Sequence, residues 1–195
     1  MDILSHGLWG AAAAIGASRK LRMKVRARWA AWWGVFPDLF AFAVPITLGL
    51  WQRLTGAAGP AAGPRRMPYM WLASELYQYS HSLLVFAAVF GLVWLVARRP
   101  VLALLAWPLH VLMDIPTHTL RFFPTPFLWP ISSFRASGIS WGNRWFMLSN
   151  YSALAVVYVL LWVTRRYGTS ARNSGSVQDS VLASNRSNPQ RQNPQ

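Results

Sequence analysis

The sequence predicts an all-α integral membrane protein: a helical bundle of about five hydrophobic helices, one or two of them broken by proline, with a disordered C-terminal tail. Three observations predict it. Of 195 residues, 54% are hydrophobic and twelve are tryptophan, and the mean hydropathy is positive, as is ordinary for a small polytopic membrane protein and unusual for a soluble globule. The apolar residues fall into five runs separated by polar or proline-rich stretches. The basic residues behind the net charge of +14 cluster in the gaps between those runs. Cations so placed suit loops near anionic lipid head groups, so membrane lipids are the expected partners and nucleic acid is not.

Residues Met1 to Ala17 read as a short apolar helix with His6 near its start. Six basic residues follow between Arg19 and Arg28, the strongest cytoplasmic marker in the chain. No Lys or Arg precedes the apolar stretch, so it reads as a retained helix with its start outside rather than as a signal peptide. Trp29 to Trp51 is long enough to span a hydrocarbon core of about 30 Å. It carries Asp38 directly after Pro37, a proline expected to break or kink it and to free backbone groups for other partners.

Gln52 to Leu76 is rich in Gly, Pro and Ala and reads as an external loop, with Tyr69, Trp71 and Tyr77 at a membrane interface. Ser80-His81-Ser82 opens a third run ending at Ala97, and the fourth runs from Val101 to His118. Thr119 to Arg144 reads as a stiff interfacial loop. Trp145 to Thr164 is the fifth run and the cleanest transmembrane helix. Residues 1–164 thus form a transmembrane helical domain, and residues 165–195 a disordered polar, basic cytoplasmic tail.

Five crossings with the N-terminus outside place thirteen basic residues on the cytoplasmic side and six outside, the bias that sets orientation in a membrane. That orientation brings His6, His81, Asp114 and His118 to the outer ends of their helices, with His110 deeper and Asp38 near mid-membrane.

His110, Asp114 and His118 recur every four residues, so a helix would carry all three on one face; Pro116 places His118 just past a kink or helix end. Burying ionisable groups in hydrocarbon is expensive, and no Lys or Arg lies within these helices near them. A divalent metal supplies the missing positive charge. The chain has no cysteine, so ligands are nitrogen and oxygen, and the candidate set is His6, Asp38, His81, His110, Asp114 and His118. Zinc is the first choice, with manganese or iron as alternatives. Six ligands also allow two metals. Asp114 and Glu75 are the candidate catalytic acids, with Glu75 or a non-ligating Asp as general base.

The plainer readings are that His6 is an interfacial hydrogen-bonding residue, that Asp38 and Ser80-His81-Ser82 cap helices, and that Glu75 is surface. The short stretches Met1-Asp-Ile-Leu-Ser-His6-Gly-Leu, Gly34-Val-Phe-Pro-Asp38-Leu, Ser80-His81-Ser82-Leu, His110-Val-Leu-Met-Asp114 and Thr117-His118 together resemble the membrane-bound, predicted metal-dependent hydrolases, a group that includes the LexA-regulated inner-membrane hydrolase of enteric bacteria. The resemblance implies a multi-helix membrane protein with a metal centre on His6, Asp38, His81, His110 and Asp114. The chain departs from the group where Leu39-Phe40 follows Asp38 and where Tyr77-Gln-Tyr-Ser precedes His81. Both departures remove residues that the group commonly uses, and His118 stands in for one.

The expected function is therefore a membrane-embedded, metal-dependent hydrolase acting on an ester or phosphoester of a lipid or lipid-linked substrate. The alternatives are a proton- or ion-coupled transporter or channel component, with buried Asp and His as the relay, and a non-catalytic membrane scaffold.

Overall fold

The computed structural model describes residues 1–21, 24–56 and 69–186, with side chains as far as Arg166. The chain divides into two units, Met1–Leu154 and Ala155–Gln195. Six α-helices make up the regular structure: α1 (Ile3–Lys20), α2 (Ala27–Leu54), α3 (Met70–Ser80), α4 (Leu83–Ala97), α5 (Ala106–Asp114), preceded by a 3₁₀ turn over Leu102–Leu105, and α6 (Arg144–Arg186). Among the described residues there is no strand, so the expected all-α class holds.

Fewer helices can cross a membrane than the five runs suggest. Among the described residues, only α2 and the Arg144–Arg166 part of α6 are long and apolar enough; α3 and α4, bent by 60° at their junction, make a third if they form one broken span. α1 falls short because its middle is weakly apolar Ala and Gly and its last turn carries Arg19 and Lys20. The fourth run yields only the short segment Leu102–Asp114, well under the roughly 20 residues a crossing needs. α5 stops at Asp114, where the amides of Thr117 and His118 both turn back to the Asp114 carbonyl, as Pro116 requires.

Other expectations shift as well. Pro37 does not break α2, which runs through both Pro37 and Pro45. The stretch expected as a loop from Gln52 to Leu76 is helical to Leu54 and again from Met70; residues 57–68 of it lie outside the described residues. Residues 165–186, expected to be disordered, continue α6, since no proline interrupts the local hydrogen bonding before Pro189. The rest of that tail, 187–195, lies outside the described residues.

In the first unit, α1 and α2 approach closely because small residues face each other. A Cβ on Gly34 would stand 2.7 Å from the backbone oxygen of His6, so only glycine admits this contact. Asp2 caps α1 by accepting from the Ser5 amide at 3.0 Å, and Asn150 at the start of α6 donates to the Ser5 hydroxyl at 2.7 Å. Phe86, Leu104, Trp107 and Val111 form the core beside Trp33 and Phe36. Ser82 caps α4 by accepting from the Leu84 and Val85 amides, which leaves His81 at the bend between α3 and α4. Leu92, Leu95 and Val96 on α4 remain more than 60% exposed, the condition of a helix that faces lipid.

The segment between α5 and α6 has no helix, as expected, and folds back on the end of α5. Gly138, Ile139 and Trp141 donate their amides to the carbonyls of His118, Pro116 and Thr117. Gly138 is forced by proximity, because a Cβ there would lie 2.0 Å from the Pro116 oxygen.

Candidate metal centre

Four elements bring the ionisable residues together. His6 comes from the first turns of α1, Asp38 from the turn after Pro37 in α2, His81 from the α3–α4 bend, and His110 and Asp114 from α5. His6, His81, His110, Asp114 and His118 are all buried. Asp38 is 13% exposed, which makes it the most open member of the set.

The geometry centres on His81, His110, Asp38 and Asp114, whose ligand atoms all lie within 4.8 Å of one another. His81 Nε2 is 3.0 Å from His110 Nε2. Asp114 Oδ2 lies 3.4 Å from His81 Nε2 and 3.3 Å from His110 Nε2, and Asp38 Oδ1 lies 3.5 and 3.7 Å from the same two nitrogens. Two ligands of one tetrahedral zinc, each about 2.0–2.2 Å from the ion, are about 3.3–3.6 Å apart. These five separations scatter around that value, so the group could hold a metal ion.

The protonation of His110 follows from its partner. Its Nδ1 lies 2.7 Å from the Gly34 carbonyl oxygen, which can only accept, so Nδ1 carries a proton and Nε2 is the ring nitrogen turned to the cluster. His118 repeats the arrangement, with Nδ1 2.7 Å from the Phe123 oxygen and Nε2 3.5 Å from Asp114 Oδ1. His81 Nδ1 pairs with the Ser80 hydroxyl at 2.9 Å.

Asp114 is the hub. Its Oδ2 is buried without a hydrogen bond, although two imidazole nitrogens are close by. Its Oδ1 faces His6 Nε2 at 3.0 Å, an approach that lacks hydrogen-bond geometry and leaves both ring nitrogens of buried His6 unpartnered. The α-amino group of Met1 also contacts Oδ1 and lies 3.1 Å from Thr117 Oγ1 and 3.5 Å from His118 Nε2.

The six expected ligands thus converge on one place: four form the tight set, and His6 and His118 meet Asp114 on its other side. Glu75 does not join them. It is exposed on α3 with its carboxylate toward the Gln78 amide at 3.4 Å. Tyr77, expected at an interface, is instead 2% exposed, with its ring stacked on His81 at 3.6 Å and its hydroxyl 3.3 Å from His118 Nδ1. Its position four residues before His81, on the same helical face, is the signal that would have placed it here.

No family model, curated protein or solved structure matches this chain.

Proposed function

We propose that the protein is a membrane-embedded, metal-dependent hydrolase of an ester or phosphoester, of the kind its short motifs resemble. The observation that carries this reading is the His110 tautomer: Nδ1 is committed to the Gly34 carbonyl, so Nε2 is presented as a ligand 3.0 Å from His81 Nε2 and 3.3 Å from a carboxylate oxygen with no hydrogen bond of its own. His81, His110, Asp38 and Asp114 hold the ion, with zinc preferred for its nitrogen and oxygen ligands and manganese or iron as alternatives.

A divalent ion bound there lowers the pKa of a coordinated water and polarises the substrate oxygen. Asp38 lies on the accessible side, where substrate enters. Asp114 turns Oδ2 to the ligand set and Oδ1 toward His6, Thr117 and His118, so one oxygen would hold the ion while the other fixes the carboxylate against those side chains. Glu75 has no part in this scheme.

The setting supports a lipid or lipid-linked substrate. Taking the basic end of α2 at Arg26 as the cytoplasmic boundary, Asp38 lies about 18 Å along the helix, in the outer half of a bilayer core of about 30 Å. The reading places the protein in a bacterial cytoplasmic membrane with its N-terminus outside, its tail cytoplasmic and the centre reached from the bilayer.

The test is turnover. Zinc-loaded protein in vesicles is offered chromogenic phosphodiesters, carboxyl esters and phospholipids. The expected result is hydrolysis that stops on chelation, returns with zinc, and is lost in Asp38→Asn and Asp114→Asn. Metal-loaded, folded protein that leaves every substrate intact would overturn the proposal and favour a proton relay or a scaffold.

A further inference from the structure

The first unit contains a second feature that the metal centre does not use. Lys24 and Arg26, from the connection between α1 and α2, and Arg99, just after α4, line one cavity of about 680 Å³ together with Trp29 and Trp33. Among the described residues, no carboxylate lines it. Arg99 follows Arg26 by 73 residues, and the three cations belong to the two basic stretches expected on one side of the membrane, Arg19–Arg28 and Arg98–Arg99. The fold gathers them around a single opening, where they repel one another unless an anion stands between them.

Trp33 is also a wall of an adjoining cavity of about 260 Å³ between Phe36, Phe40, Val85 and Val89, into which no polar surface opens. Trp107 forms its floor, stacked parallel to Trp33 at 6.3 Å and donating its indole N–H to the Ser80 carbonyl at 2.6 Å. From Trp29 to Phe40 the two cavities follow α2 for about 16 Å, roughly half the thickness of a bilayer core and hence one leaflet. A cationic chamber joined through a tryptophan to an apolar one of leaflet depth has the polarity profile of a single amphiphile.

We infer that this is a binding site for an anionic phospholipid, whose phosphate sits among Lys24, Arg26 and Arg99 and whose acyl chain lies along Phe36, Phe40, Val85 and Val89. Charge complementarity selects the head group, and the apolar groove excludes a free anion as the full ligand. The site is independent of the metal and does not rest on the hydrolase reading.

The experiment uses the full chain in phosphatidylcholine membranes containing a minor fraction of phosphatidylglycerol, with bound lipid counted by native mass spectrometry after gentle detergent extraction. The expected result is retention of one phosphatidylglycerol in preference to phosphatidylcholine. The triple variant Lys24→Gln, Arg26→Gln, Arg99→Gln should weaken it on the order of a hundredfold. Val89→Phe, which fills the groove and leaves the cations in place, should lower retention as well. Both variants keep the parent's metal content, which separates this site from the centre above. Equal retention of the two lipids, or retention unchanged in the triple variant, would overturn the proposal. So would displacement of the lipid by excess inorganic phosphate from the parent and Val89→Phe alike, which would mean an anion site without an acyl site.

Discussion

The Nε2 atoms of His81 and His110 face each other across 3.0 Å, while the Nδ1 proton of His110 is given to the Gly34 carbonyl. Two imidazoles so arranged share one proton or one cation between them. With Asp38 and Asp114 oxygens within 3.7 Å of both, the four side chains could together hold a divalent ion. His110→Ala removes a ligand and strands the Gly34 carbonyl, and the expected cost is about 1–3 kcal/mol of stability together with loss of the ion. Thermal unfolding with and without added zinc checks this: zinc raises the parent's midpoint and leaves the variant's unchanged.

Gly34→Ala is a test of the packing beneath the site. Its Cβ would press on the His6 backbone at 2.7 Å, forcing α1 from α2. The expected destabilisation is about 1–3 kcal/mol. Because the same shift disturbs the Gly34 carbonyl that orients His110, zinc affinity should fall with it, although residue 34 is no ligand. A variant with parental stability and affinity would contradict the close approach.

Tyr77→Phe keeps the ring stacked on His81 and removes only the hydroxyl between His118 and Thr125. Expected is a loss of about 1 kcal/mol with metal content retained, whereas Tyr77→Ala, which removes the stacked ring, should lose both stability and metal. Unfolding midpoints and metal analysis on the pair separate the two roles.

Much of the centre was legible because charge inside an apolar run is costly. His6, Asp38, His81, His110, Asp114 and His118 stood out against hydrocarbon, and all six meet. Their depth was less legible. Runs of similar apolarity became helices of unequal length, because Pro116 ended α5 and the Ala- and Gly-rich α1 was too weakly apolar to span. Contacts between distant parts of the chain were hidden altogether. Nothing local to Tyr77 says that its hydroxyl reaches His118 and Thr125, and nothing local to Met1 says that its amine reaches Asp114. Glu75 looked like a catalytic acid for want of rivals, yet the surface side of α3 holds it away from the cluster.

At the N-terminal cap, the Asp2 carboxylate is partly buried, which by itself would raise its pKa, but hydrogen bonds from the Ser5 hydroxyl and amide and from the Tyr151 hydroxyl outweigh this and hold it below the usual carboxylate range. A depressed folded-state pKa means stability present above the unfolded value and lost as pH falls through the folded one. Thermal stability should therefore decline below about pH 4, the unfolded value. Asp2→Asn should show a shallower decline over the same range, and an identical slope would remove Asp2 from the account.

The central claim is that His81, His110, Asp38 and Asp114 bind a divalent ion. Its most direct test is elemental mass spectrometry of the detergent-purified protein beside folded His110→Ala and Asp114→Ala variants. The account predicts at least one equivalent of zinc, manganese or iron in the parent and its loss in both variants. A parent that stays free of metal after reloading, or variants that bind as much as the parent, would contradict it.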